Sequence, residues 1–293
     1  MTSAKALIMA ARPKTLTAAL VPVAAGTALA HAHGALRADA ALACLLVALF
    51  IQIGTNYAND LFDFLKGTDN EARLGPTRAT SAGMTTPRQM AVATAIAMLL
   101  GFVSGLYLVS LTGWPLLALG VLCIIAGVAY TGGPFPLAYN ALGDVFVFVF
   151  FGLIATAGTY YTQALSVHPG ALVLGAHIGA LATCLLIVNN TRDIENDRAH
   201  RKITTAVLLG PRRARAMYVL VLISAYLFVI GAVAAQVVSP GALACLLATP
   251  LAVKAARALY TNDGAALNPV LGKTSGVLLV SGLLMSAGVA LWS

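Results

Sequence analysis

Two stretches of this sequence carry residues equipped for chemistry: Asn56-Tyr57-Ala58-Asn59-Asp60-Leu61-Phe62-Asp63 and Asn189-Asn190-Thr191-Arg192-Asp193-Ile194-Glu195-Asn196-Asp197. Continued as a helix, the first places Asn56, Asn59, Asp60 and Asp63 at i, i+3, i+4 and i+7, on one face. Asn189, Asp193 and Asp197 repeat the arrangement at i, i+4 and i+8. Carboxylates and amides without His or Cys select a hard cation, and Mg2+ fits best. Mg2+ is ordinarily held by one or two carboxylates together with a substrate phosphate. Arg78, Arg198, Arg201 and Lys202 follow the acids closely and suit a diphosphate.

The surrounding sequence is 59% hydrophobic and 10% charged, with a mean hydropathy of +0.87. Apolar runs of about 18 to 22 residues recur, a pattern that belongs to a lipid bilayer and not to a soluble core. The net charge of +8 is not gathered into a basic domain with interleaved aromatics, so nucleic acid is excluded as a partner. Cys44, Cys123, Cys184 and Cys245 each lie in a different apolar segment without metal-like spacing, and read as small packing residues.

Hydropathy and turn signals predict an all-α integral membrane protein with nine transmembrane helices around a central cavity. The spans are 15–33, 39–58, 89–110, 114–131, 142–163, 170–190, 214–236, 239–258 and 270–292 of one domain covering 1–293. Arg12-Pro13-Lys14 reads as a basic collar opening a retained first helix, not as part of a cleaved leader. With the N-terminus cytoplasmic, seventeen of the eighteen basic residues fall on that side and Arg37 alone falls outside. Both acidic stretches then close helices at the cytoplasmic side of a cell inner membrane. The long charged loops that follow them, about 60–88 and 191–213, suit a cap over a site. The recurrence of apolar helix, Asn/Asp end and polar loop divides the chain into pseudo-repeats, roughly 1–140 and 141–293. A cation-coupled transporter is the alternative from another class. It requires acids near mid-membrane and exits to both sides, whereas these acids lie at helix ends beside bases.

At these residues the sequence resembles the UbiA superfamily of intramembrane prenyltransferases, whose Asn-Asp-x-x-Asp and Asp-x-x-x-Asp motifs stand here as Asn59–Asp63 and Asp193–Asp197. Within it, the resemblance is to the enzymes acting on 1,4-dihydroxy-2-naphthoate. It runs through Arg12-Pro13-Lys14-Thr15-Leu16, Asn56 to Asp69, Gly75-Pro76-Thr77-Arg78, Tyr130-Thr131-Gly132-Gly133-Pro134, Leu142-Gly143-Asp144, Phe150-Phe151-Gly152 and Asn189 to Ile194. Where the superfamily often carries a third acid this chain has Gly67, and Asp69 stands slightly later. Tyr130 is followed by Thr-Gly-Gly-Pro, so no diphosphate-binding lysine is assigned there.

The resemblance implies Mg2+ held by Asn59, Asp60, Asp63, Asp69, Asp193 and Asp197 and bridging to a polyprenyl diphosphate. Ionisation would give an allylic cation, captured by 1,4-dihydroxy-2-naphthoate with loss of the carboxylate and a proton, to yield demethylmenaquinol on the way to menaquinone. Another aromatic acceptor, 4-hydroxybenzoate or homogentisate, is the alternative. Asp63, Asp193, Asp144 and Tyr130 are the catalytic candidates, with Asp144 a candidate base. Arg12, Arg78, Arg198, Arg201, Lys202 and Asn189 are the substrate-binding candidates. Prenyl chain length and oligomeric state have no signature in the sequence. Tyr57, Phe62, Tyr130, Phe135 and Tyr139 are the aromatic residues placed to face a cation at the helix ends.

Overall fold

The computed structural model describes residues 3–69 and 73–292, and among them the regular structure is helical apart from an isolated bridge between Asn140 and Ile203. α1 (Ser3–Ala10) continues through a 3-10 turn at Pro13–Thr15 and meets α2 (Thr17–Ala32) at 51°. Then follow α3 (Ala38–Leu65), α4 (Pro87–Thr112), α5 (Pro115–Ala129), α6 (Gly143–Ala164) and α7 (Pro169–Arg192). The chain ends with α8 (Ile194–Ala199), α9 (Thr205–Ala234), α10 (Pro240–Thr261) and α11 (Asn268–Leu291).

Local chemistry sets these boundaries. Proline stands in the first turn of α4, α5, α7, α10 and α11, where its missing N–H has no helical partner to lose. Thr86 accepts the Gln89 N–H while the Gln89 side chain accepts the Thr86 N–H, a reciprocal cap on α4. In α9, Gly210 at φ 74 followed by Pro211 interrupts the helix, so its straight part begins at Pro211.

Among the described residues, α3, α4, α6, α7, α9, α10 and the stretch Gly264–Leu291 are each long and apolar enough to cross a bilayer. The bent α1–α2 pair passes when taken together. α5 has 15 residues, about 22 Å at the helical rise and short of the ~30 Å hydrocarbon core. The nine predicted spans thus correspond to seven helices long enough to cross, one bent pair and one short helix. The protein is a multi-pass membrane protein.

α7 is the pillar of the bundle. Leu174, Ile178, Leu181 and Val188 on it are sealed from the surface by α6, α9 and α11. α6 and α7 touch backbone to backbone, since a Cβ on Gly152 would lie 2.6 Å from the Gly179 Cα. The middle of α6, Phe148–Ile154, is π-helical, a wider turn found often beside functional sites.

His168 caps α7, its Nδ1 accepting the Gly170 N–H at 3.0 Å, which requires a neutral ring. Burial lowers its pKa, and His33, with ring centroids 4.6 Å apart, lowers it further. A folded-state pKa below the unfolded value of about 6.5 gives stability that is present above that pH and lost as pH falls through the folded pKa. The melting temperature is therefore expected to fall on acidification from about pH 7 to 5, and to fall less in His168→Asn, which keeps an acceptor without titrating. Equal slopes in the two proteins would sink the assignment.

Candidate active site

α3 continues past Ala58 to Leu65, so the first acidic motif lies wholly inside a helix. Asn56 donates to the Ala11 carbonyl at 2.9 Å and the Thr15 hydroxyl at 3.2 Å, tying α3 to the bend before α2. Asn59 accepts from the Thr131 hydroxyl. Asp63 accepts from the Tyr139 hydroxyl at 2.8 Å and faces Arg78 at 3.7 Å. Asp69 is held by Arg73 at 2.7 Å and Arg78 at 3.2 Å.

The second motif closes α7. The predicted single stripe is bent there: the helix ends at Asp193, whose φ −98 and ψ 9 are not helical, and α8 resumes at Ile194. The Asp197 N–H still bonds the Asp193 carbonyl at 2.8 Å, so the two acids remain on adjoining turns. Arg192, its side chain fully buried, grips both Asp193 oxygens at 2.8 and 2.5 Å and also donates to Asn189 and Asn268, each at 2.8 Å. Lys202 lies 3.6 Å from Asp197. Asn196 donates to the Thr68 carbonyl at 3.0 Å, joining the two motifs directly.

Between the motifs lies a chamber of about 800 Å³. Among the described residues its wall carries six cations, Arg12, Lys14, Arg73, Arg78, Arg192 and Lys202, against three carboxylates, Asp60, Asp63 and Asp144, a balance that suits anions. Tyr130, Phe146 and Phe151 form its aromatic side, and Asn59 and Asn189 line it as well. Arg12 adopts φ 52 and leaves a buried guanidinium nitrogen without a partner. Asp144 is buried with Oδ1 equally unpartnered.

A UbiA prenyltransferase family model matches residues 19–290. The chain belongs to that family. It is 40% identical over 287 residues to the 1,4-dihydroxy-2-naphthoate octaprenyltransferase of Mycobacterium tuberculosis, covering 97% of this chain and 96% of that one. It is 37% identical over 287 residues to the enzyme of the same name from Escherichia coli, covering 96% and 93%. Its fold matches the UbiA homologue of Archaeoglobus fulgidus bound to GPP and Mg2+, with a TM-score of 0.65, 15% identity and coverage of 96% and 99%.

Set against the UbiA motifs, several expected residues hold other positions. Both oxygens of Asp60 accept backbone N–H groups, of Ala79 and Thr80, each at 3.0 Å, so Asp60 clamps the loop after the motif while it also lines the chamber. Arg198 is half exposed and pairs with Glu195, and Arg201 is exposed on an αL turn; neither lines the chamber. Of the five expected aromatics only Tyr130 lines it. Tyr57 donates to the Leu7 carbonyl, Phe62 lies against Gly132, Phe135 is exposed, and Tyr139 serves Asp63. Arg73, Arg192, Phe146 and Phe151 were missed. Arg73 stands four residues after Asp69, a helical pairing distance that the sequence does offer.

Electrostatics at the motif ends follows from burial. Asp69 is pushed up to about 7 by burial, against the pull of Arg73. Asp197 is pushed up to about 6 by burial, with Lys202 opposing. Burial alone would lower the Lys202 pKa, yet Asp63, Asp197, Asp193 and Asp69 around it carry it upward. Among the described residues no three His, Cys, Asp or Glu converge closely enough to hold a metal ion by themselves.

Proposed function

We propose that the protein transfers a polyprenyl group from an allylic diphosphate to 1,4-dihydroxy-2-naphthoate, giving demethylmenaquinol. The observation that carries this reading is the cation-lined chamber at the tips of two acidic helices, in a chain similar throughout to enzymes named for that acceptor. The bond from the allylic carbon to the diphosphate oxygen breaks, and its electron pair leaves with the diphosphate. A naphthoate ring carbon supplies the pair for the new C–C bond. The carboxylate departs as CO2, and the proton released by the attacked carbon is balanced by one taken up where CO2 was lost.

The donor set fits Mg2+. All its atoms are oxygens, and Asp197 Oδ2 is buried without a hydrogen-bond partner. Because no three acids converge among the described residues, diphosphate oxygens would complete the coordination. Asn59, Asp63 and Asp197 would hold the ion, with Asp193 sharing the oxygens that Arg192 grips, and Asp69 sits behind them between two arginines. When bound, Mg2+ neutralises the leaving diphosphate. Arg78 and Lys202 bind that diphosphate from the chamber wall, beside Arg73 and Arg192. Asn189 orients Arg192. Arg12, with its open donor, receives the acceptor's carboxylate, and Asp144 takes a hydroxyl proton at Oδ1 as the ring attacks and returns it when the aromatic diol is restored. Tyr130 and Phe146, with centroids 5.3 Å apart, present ring faces to the allylic cation and exclude water.

Seventeen basic residues against one support a cytoplasmic N-terminus, with the chamber on the cytoplasmic side of the inner membrane. The test is to incubate membranes containing the protein with a labelled polyprenyl diphosphate and a panel of aromatic acids. Product is expected with 1,4-dihydroxy-2-naphthoate and Mg2+ and is expected to vanish with a chelator. Preference for 4-hydroxybenzoate or homogentisate would overturn the acceptor assignment.

A further inference from the structure

Gln52 is a buried amide inside the apolar span of α3, one turn before Asn56, and it lines the chamber. A polar group at that depth is costly unless something bonds it. Among the described residues of the chamber wall, two buried acceptor oxygens have no hydrogen-bond partner, Gln52 Oε1 and Asp144 Oδ1.

The bonds around Thr15 fix which atom of the amide is open. The Thr15 hydroxyl donates to the Arg12 carbonyl at 2.9 Å, so its oxygen can only accept. It takes Asn56 Nδ2 at 3.2 Å and Gln52 Nε2 at 3.4 Å, which fills both its lone pairs. Gln52 therefore turns its nitrogen to Thr15 and leaves Oε1 for the chamber. The same hydroxyl ties Gln52 to the bend that carries Arg12, whose guanidinium also keeps an open nitrogen.

Only an O–H or N–H donor can complete Oε1. An ionised diphosphate offers acceptor oxygens and is repelled there. The naphthoate carries two ring hydroxyls, which matches the two open acceptor oxygens of the wall. We propose that Gln52 is a specificity-determining residue for the aromatic acceptor: its Oε1 accepts from the ring hydroxyl that Asp144 does not take. The proposal rests on the acceptor reading above, in which Arg12 receives the carboxylate and Asp144 a hydroxyl. A monohydroxy acid such as 4-hydroxybenzoate leaves one of the two buried oxygens unpaired, and a site built to bond a hydroxyl rejects a ligand that lacks it.

The experiment measures dissociation constants for the full chain in lipid nanodiscs, by anaerobic competition with labelled 1,4-dihydroxy-2-naphthoate. The competitors are 1-hydroxy-2-naphthoate, 4-hydroxy-2-naphthoate and 4-hydroxybenzoate. Binding is read in place of turnover because a missing hydroxyl also changes the reactivity of the ring. In the unsubstituted protein the diol is expected to bind about tenfold or more tighter than either monohydroxy naphthoate. In Gln52→Met its advantage over one of them is expected to shrink to within about twofold, while its advantage over the other, which lacks the hydroxyl of Asp144, persists. Gln52→Glu keeps an acceptor oxygen but no donor for Thr15, and is expected to retain both advantages. All ratios are taken within one preparation, so the folded fraction cancels. If Gln52→Met keeps both advantages or loses both together, Oε1 does not read a hydroxyl. If Gln52→Glu behaves as Gln52→Met does, the side chain acts only as a tether to Thr15, and the proposal fails. If the unsubstituted protein binds 4-hydroxybenzoate as tightly as the diol, the acceptor reading itself falls and takes the proposal with it.

Discussion

Asp63→Asn is expected to lower Mg2+-dependent prenyl transfer by about a hundred- to a thousandfold while the protein stays inserted and folded. The size follows from what Asp63 touches. It lines the chamber, faces Arg78 at 3.7 Å, and accepts the Tyr139 hydroxyl at 2.8 Å. An amide oxygen keeps the bond from Tyr139, so the architecture survives, but the anionic charge available to a cation is gone. Asp60→Asn, three residues earlier, gives the opposite pattern. Its carboxylate accepts the Ala79 and Thr80 N–H groups, and an amide turns one donor against a donor. The expected loss is about 1–3 kcal/mol of stability, with activity per folded molecule much less affected than in Asp63→Asn. Activity and melting temperature measured on both variants separate the roles. Full activity in Asp63→Asn would remove it from the ligand set, and an unaltered melting temperature in Asp60→Asn would remove the clamp.

This contrast marks how far sequence reasoning reached. Helical spacing put Asn59, Asp60 and Asp63 on one face, and α3 does carry all three there. Whether a carboxylate on that face meets a cation or a backbone N–H depends on where a loop nineteen or twenty residues later folds back, and periodicity carries no record of that. Arg198 and Arg201 were placed by nearness in sequence to the second motif. The break at Asp193 and the αL turn at Arg201 direct them outward, and Lys202 alone of that group reaches the chamber. Phe146 and Phe151 lie inside an apolar span, where an aromatic residue looks the same whether it packs or lines a cavity. Their assignment needed the packing of α6 against the chamber. Hydropathy likewise registers α5 as apolar without registering that its helix is only 15 residues long.

Arg192 was read from sequence as one more cytoplasmic charge, yet it is expected to be the residue whose removal costs most stability. Its buried guanidinium neutralises Asp193 and satisfies Asn189 and Asn268, while Asn268 in turn holds the Leu74 carbonyl at 2.9 Å. Three elements, α7, α11 and the loop after α3, are therefore pinned through one side chain. Gly75 lies so close that a Cβ there would meet an Arg192 nitrogen at 2.7 Å. Arg192→Met leaves a buried Asp193 without its cation, and removing one member of such a pair costs about 3–5 kcal/mol. The double variant Arg192→Met with Asp193→Leu removes both charges at once and is expected to regain most of that stability, because the desolvation penalty goes with them. Prenyl transfer is expected to stay lost in the double variant, since the chamber has lost a cation from its wall and an acid from its second motif. Denaturation midpoints and initial rates on the two single variants and the double variant make the distinction. If the double variant is as unstable as Arg192→Met, the arginine matters for packing and not for neutralising Asp193. If the double variant recovers both stability and rate, the second motif is structural and the chemistry lies with Asp63 and its neighbours on α3.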